Sequence, residues 1–404
     1  MTTPPLDAIG TEYLTLSLEI ERLFPGFVDA YMGPPELKTR ANGSPLPDPA
    51  ALLDRARRLL TSVRMAGYSP NRTEFLRGQL TGIITSCRKL AGEEIAYVDE
   101  VQQSFDIVVT DTPNEHFDTA IQELDGVLPG QGSVRERQIA WKQQFVIDQK
   151  TAAVLIDRIL TETRFNTRQF VDLPAGDTVS IAFVTEKPWS GYNWYLGHAR
   201  SLVEINTDLP IHAHTLPSLV AHEGYPGHHT EHALKDRLLY EQAGFAEHAI
   251  QLINTPECVI SEGIAVLAED FGFGERDGAD WLAANLPDIA DITVDPDALR
   301  RVSLASRNLR GVASNAALRR HRDGWSEREV LQYLQHYGLV TEAEAAKRLS
   351  FIDDPLWRPY LFTYSVGREI LSSWLDQQPD RMTGFQRLLV EQWTPSQLAG
   401  SRPA

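Results

Sequence analysis

The chain is poor in cysteine, in basic charge and in long apolar runs, and each shortage removes a class of protein. Two cysteines in 404 residues, Cys87 and Cys258, cannot make a disulfide scaffold or a Cys-rich zinc module; two buried free thiols are expected. Lys and Arg number 38 against 55 Asp and Glu, a net charge of −17. That balance excludes nucleic acid, whose binding depends on neutralising phosphates, and a polybasic membrane anchor. No stretch approaches the roughly 18 consecutive apolar residues of a membrane span. The first apolar segment, Tyr13 to Phe24, is broken by Glu19, Glu21 and Arg22. It reads as an amphipathic helix and not as an export signal, so a cytoplasmic location is expected. There is no G-x-S-x-G, no Walker loop and no G-x-G-x-x-G, which disfavours a serine hydrolase elbow and the common nucleotide sites.

What is present points to a folded, mostly helical protein of more than one lobe. A helical N-terminal lobe is expected over residues 1–172. Asp48-Pro49 supplies an N-cap and a first-turn proline. Further helices are expected from Thr73 to Leu90, around Phe117, Ile121 and Leu124, and from Ser133 to Arg164 as one long helix or two joined ones. The segment from Met32 to Pro49, with its five prolines and two glycines, reads as a loop. The period then changes. Thr178–Thr185, Tyr192–Leu196 and Ser201–Asn206 are strand candidates, and a small antiparallel β-sheet is expected. Helices resume after Asp208. Ser326 and Thr341 open capping boxes, and a last long helix is expected over Leu356–Leu375. Residues 173–404 thus hold the sheet and the chemistry-bearing helices.

Eight of the 11 histidines lie between positions 198 and 248, and imidazole is the commonest metal ligand. The centre of this group reads His222-Glu223-Gly224-Tyr225-Pro226-Gly227-His228-His229. In the zincin motif H-E-x-x-H, two histidines one turn apart hold zinc and the glutamate is the base. Here the second histidine position is Pro226. In a regular helix, a residue six positions on lies roughly 120° around, and one seven on lies about 10.5 Å along. Neither His228 nor His229 would then join His222. Proline removes the N–H that would bond the carbonyl of His222, and glycine permits unusual dihedrals beside it. A kink would make the spacing metal-competent; a plain turn between two helices with solvated histidines is the alternative.

A second segment, Ser261 to Asp270, reads as a helix with Glu262 and Glu269 seven apart on one face, otherwise made of Ile264, Ala265 and Ala268. Two carboxylates on such a face need a partner. Glu262 as a third ligand would leave a position for water, the pattern of a catalytic zinc. Glu269 would then accept from an imidazole and fix it.

The blocks HEGYPGHH and, some 35 residues on, EGIAVLAE resemble the bacterial family called domain of unknown function 885, of the gluzincin-type metallopeptidase clan that also contains thermolysin. Phe24 to Pro34, Ser201 to Asp208, Gly324-Trp325-Ser326 and Tyr364-Ser365-Val366-Gly367 carry the resemblance over most of the chain. The resemblance implies a zincin-like architecture beneath the helical lobe, with one Zn2+ per chain on His222, His228 and Glu262. It makes Glu223 the general base and Tyr364 the stabiliser of the developing oxyanion. It ranks His229 as the alternative ligand and His232 as a supporting group. The family's tryptophan and tyrosine on the acidic helix are Ile264 and Leu267 here, and its Arg-Tyr pair is Arg348-Leu349. The expected activity is zinc-dependent cleavage of short peptides, carboxypeptidase-like or oligopeptidase, with Arg348, Arg358 or Arg368 binding a substrate carboxylate. A non-peptide amide or ester hydrolase with the same ligands, or an inactive binding protein on the same fold, is the alternative.

Overall fold

The structure, a computed structural model, describes residues 6–187 and 189–400. Helices dominate it. In the N-terminal part they span Ala8–Glu21, Pro35–Gly43, Pro49–Met65, Pro70–Leu90, Tyr97–Phe105, Asn114–Val127, Val134–Gln143 and Gln149–Thr167. Their starts follow capping chemistry: Asp48 accepts from the Ala50 amide, and Ser69 from that of Arg72. The expected loop at 32–49 contains a helix. Pro35 stands in its first turn, where a missing N–H is no loss, and Leu37 and Ala41, four apart, are its buried face. The Ser133–Arg164 stretch is two helices separated by a two-residue strand, because Asp148 caps the second helix by accepting from the Thr151 amide.

Seven short strands occur among the described residues: β1 (Val28–Tyr31), β2 (Val146–Ile147), β3 (Thr178–Val184), β4 (Gly191–Tyr195), β5 (Arg200–Asn206), β6 (Ile211–His212) and β7 (Ile250–Leu252). The main sheet has the order β3-β5-β4. It is mixed, not antiparallel as expected: β4 and β5 run antiparallel, but β3 and β5 are parallel. The side chain of Asn206, at the end of β5, donates to the carbonyls of both Lys187 and Trp189 at 2.8 Å. This holds the connection across the end of β5 and delivers β4 to the far edge. Elsewhere β1 pairs with β7 and β2 with β6, both antiparallel.

Two large apolar cores and one small cluster, of Ala30, Tyr195, Ala199 and Ala233, result among the described residues. One gathers residues of the first four helices with Tyr240, Ala246, Ile250 and Leu252. The larger runs from Tyr97 to Leu398 and takes in the sheet and the later helices. Cys87 and Cys258 are buried and unbridged. No helix among the described residues is long and apolar enough to cross a membrane. Helix Pro256–Leu267 lies against helix Phe362–Leu375, with Gly263 and Gly367 facing each other. A Cβ on Gly367 would come within 2.5 Å of the Val259 carbonyl, so the two backbones meet only because neither position carries a side chain.

Candidate metal centre

Helix Leu216–Glu223 ends at Gly224, and a new helix, His228–Lys235, starts directly after Gly227. The four-residue link folds the second helix back so tightly that a Cβ at Gly227 would stand 2.0 Å from the His222 carbonyl oxygen. The link is anchored on its outer side, where the Tyr225 hydroxyl donates to Asp177 Oδ2 at 2.8 Å. Asp177 is buried and also takes hydrogen bonds from Arg164 and Arg168. The chain thus breaks into two helices, yet the histidines are not left in solvent. The rings of His222 and His228 meet with centroids 4.7 Å apart, at nearly a right angle.

Glu262 arrives from helix Pro256–Leu267. Its carboxylate oxygens lie 3.3 Å from His222 Nε2 and 3.7 Å from His228 Nε2. The Tyr360 hydroxyl donates to Glu262 Oε1 at 2.7 Å; Oε2 is buried and has no hydrogen-bond partner. The protonation of His228 follows from its neighbours. The Ser261 hydroxyl gives its one proton to Glu231 Oε2 at 2.5 Å, so it accepts from His228 Nδ1 at 3.0 Å. In its neutral form the ring thus keeps its proton on Nδ1 and turns Nε2 toward Glu262. Ring nitrogens of His222 and His228 and a carboxylate oxygen of Glu262 therefore converge, all within 4.8 Å of one another. A divalent cation satisfies such a set, and two histidines with one carboxylate is a donor combination of catalytic zinc.

In the ion-free protein these groups perturb one another. Burial opposes ionisation of Glu262, yet the imidazoles of His228 and His222 hold its carboxyl well below the usual carboxylate range. Burial also opposes a charged His228, but Glu262 raises it to about 9. Glu223 Oε1 lies 4.0 Å from His222 Nε2. Burial raises its pKa, partly offset by the two histidines. Strand β4 runs beside it: Asn193 donates to the Glu223 carbonyl at 2.5 Å, and a Cβ on Gly191 would sit 3.2 Å from Glu223 Oε1. All four groups line one cleft of about 920 Å3, its mouth included.

The other expected residues are placed as follows. His229 is fully buried, accepts from or donates to the Ser201 hydroxyl on β5 through Nδ1 at 2.8 Å, and packs on Tyr225. Burial lowers its pKa to about 4. It joins the helix to the sheet and does not reach Glu262. The His232 ring lies tilted beside that of His228, centroids 5.6 Å apart, and burial pushes its pKa down to about 3. Tyr364 is partly exposed, its ring 6.4 Å from that of His222. Glu269 leaves the face of Glu262 because helix Pro256–Leu267 ends before it; its neighbours are Ser218, Arg307 and Arg310, not an imidazole. Arg348 is half-buried beside Glu344, and Arg368 sits near Asp270 and Arg307. Neither lines the cleft, in which Lys235, bonded to Glu231 and Glu257, is the only lysine and no arginine is present among the described residues. The sequence does not single out Tyr360, Ser261 or Glu231. Nothing in their local pattern marks them, since each matters through a contact between separate helices.

No family model matches the chain, and no curated protein matches it. Among solved structures, a "putative lipoprotein" from Colwellia psychrerythraea is similar with a TM-score of 0.53 at 15% identity, over 86% of this chain and 65% of that one. This chain thus spans less than two thirds of the Colwellia protein. A "putative lipoprotein of unknown function" from Shewanella oneidensis is similar with a TM-score of 0.48 at 10% identity, over 96% of this chain and 82% of that one. The Colwellia likeness is one of fold.

Proposed function

We propose that the protein is a zinc-dependent hydrolase of short peptides or similar small amides, with one Zn2+ per chain held by His222, His228 and Glu262. We further propose that it belongs with the domain-of-unknown-function-885 proteins and that its architecture is zincin-like, the His222-Glu223 helix lying along the edge strand β4. The observation that carries the reading is the convergence of buried Glu262, whose Oε2 lacks a well-aligned hydrogen bond, with the ring nitrogens of His222 and His228, beside a second buried carboxylate, Glu223, in the same cleft.

A zinc ion so held would supply Lewis acidity, making a neighbouring water nucleophilic near neutral pH. The chain's own groups do the rest. Glu223, its pKa raised by burial, takes a proton from the water as oxygen bonds to the carbonyl carbon. It returns that proton to the nitrogen as the C–N bond breaks, giving a carboxylic acid and an amine; the acid's proton, the second from the water, then passes to the amine, leaving a carboxylate and an ammonium. Tyr364, at the mouth beside His222, donates to the carbonyl oxygen as charge develops there. Tyr360 and Ser261 do not touch substrate; they hold Glu262 and His228 in orientation.

Elemental analysis of protein purified without a nickel column tests this. About one zinc per chain is expected, lost in His222→Ala, His228→Ala and Glu262→Ala, and kept in Glu223→Gln, which abolishes hydrolysis. Protein without stoichiometric metal after zinc reconstitution, or a Glu223→Gln variant that still hydrolyses, would overturn the reading. A panel of dipeptides, N-acyl amino acids and simple esters separates a peptidase from a hydrolase of other amides or esters.

A further inference from the structure

Asp29 lies on the cleft wall and has no part in holding an ion. It comes from β1, far ahead of His228, Glu262 and Tyr364 in the chain, and it is the extra residue of a β-bulge: Val28 pairs with Leu252 and Ala30 with Gln251, so Asp29 has no partner on β7. Bulges re-aim side chains, often beside active sites. Here the bulge turns a carboxylate into the cleft, where it accepts from the Tyr192 hydroxyl on β4.

No lysine or arginine answers that carboxylate. The charged neighbours it feels are His228, Glu262 and Glu223, with no lysine or arginine among them. The cleft as a whole is acidic, lined by Asp29, Glu223, Glu231, Asp236, Glu257 and Glu262, and its single lysine is committed to Glu231 and Glu257. A half-buried carboxylate with no lysine or arginine beside it is costly to keep charged. Burial pushes Asp29 up to about 6, with Tyr192 and His228 acting the other way.

An aromatic wall connects Asp29 to the candidate centre. Tyr192, which holds Asp29, packs on Trp357 at 6.1 Å; Trp357 packs on Tyr360 at 5.3 Å; and the Tyr360 hydroxyl is on Glu262. Two ring steps are commensurate with a few residues of extended chain, at about 3.3–3.6 Å per residue. Tyr192 also follows Gly191, the residue against the Glu223 carboxylate. The wall is apolar, cation-tolerant ring surface.

We infer that the cleft selects substrates by a free α-ammonium group, bound by Asp29, so that cleavage falls near the amino end of a short peptide or aminoacyl amide. The carboxylate-reading arginine of a carboxypeptidase has no counterpart among the described residues of the cleft. Asp29 binds the substrate; Tyr192 positions Asp29. The inference rests on the hydrolase reading for the cleavage step, but recognition of the ammonium is separable from it.

The test uses zinc-loaded protein with two readouts. Hydrolysis of leucine p-nitroanilide is compared with that of its N-acetyl derivative. Binding of L-leucinamide and of N-acetyl-leucinamide to the Glu223→Gln protein is followed by calorimetry and by quenching of tryptophan fluorescence, to which Trp357 contributes. Free amines are expected to be preferred by about 30-fold or more, the usual loss when one member of an enclosed charge pair is removed. In Asp29→Asn the preference should collapse while zinc content is retained. Tyr192→Phe, which leaves the charge but frees the carboxylate, should weaken leucinamide binding to a smaller degree. Acetylated and free compounds handled alike by the unsubstituted protein, or leucinamide bound equally by Asp29→Asn, would overturn the inference and leave the hydrolase reading intact. Binding of leucinamide that depends on Asp29, with no hydrolysis of either anilide by loaded protein, would support the ammonium site and count against the hydrolase.

Discussion

The hydroxyl of Ser261 is 3.0 Å from His228 Nδ1, and its own proton is directed to Glu231. The serine therefore fixes which ring nitrogen of the histidine is free. Ser261→Ala is expected to fold and to weaken zinc binding by about 10- to 100-fold, the usual effect of removing a group that orients a ligand. Competition with a chelator of known affinity measures it.

The two tyrosines on and before the Phe362–Leu375 helix divide their work. Tyr360→Phe frees Glu262 Oε1 and should lower zinc affinity. Tyr364→Phe should leave zinc content unchanged and lower kcat by about 100-fold. Metal titration alongside steady-state kinetics distinguishes the two variants.

Gly227→Ala should be among the most damaging single substitutions in the chain. The added methyl would meet backbone oxygens of both His222 and Ala221, not the yielding end of a side chain. A loss of at least about 3 kcal/mol of stability is expected, with zinc binding abolished in any protein that remains folded. Thermal unfolding with and without zinc reports both.

Asp177 makes stability depend on acid. Burial disfavours its charge, but hydrogen bonds from Arg164, Tyr225 and Arg168 outweigh this and hold its carboxyl below the usual carboxylate range. A depressed folded pKa gives stabilisation that is complete above the unfolded value of about 3.9 and disappears as pH falls through the folded one. Asp177→Asn should cost about 2 kcal/mol near pH 7, a modest figure because both arginines face solvent. Its unfolding should also respond less to acidification below about pH 4, as denaturant titrations at several pH values would reveal.

Those parts of the site written in contiguous residues are legible in the sequence. His222, Glu223 and His228 sit close together in the chain, and Pro226-Gly227 between them announces the break that lets the rings meet. Glu262 is legible because a carboxylate on an otherwise apolar helix needs a partner. Helical spacing puts Glu269 on the same face, and this fails because the helix stops between them. Tyr360 is invisible: it reaches Glu262 only through the Gly263–Gly367 approach, a contact between distant segments. The parallel pairing of β3 with β5 is equally hidden. Alternating side chains specify a strand and its faces, but its neighbour depends on the path of the connection, set here by Asn206. Asp29 lies within a segment that stands out only as a block of resemblance, because a bulge depends on the register with a strand far along the chain.

That register governs when the cleft comes into being. Val28 cannot find Leu252 until the chain through that residue has left the ribosome, and Tyr360 follows later still. A nascent or prematurely terminated chain would carry the His222–His228 turn without its opposite wall, and any ion it captured would face open water. Assembly of the complete pocket thus waits until synthesis has passed Tyr360 and Tyr364.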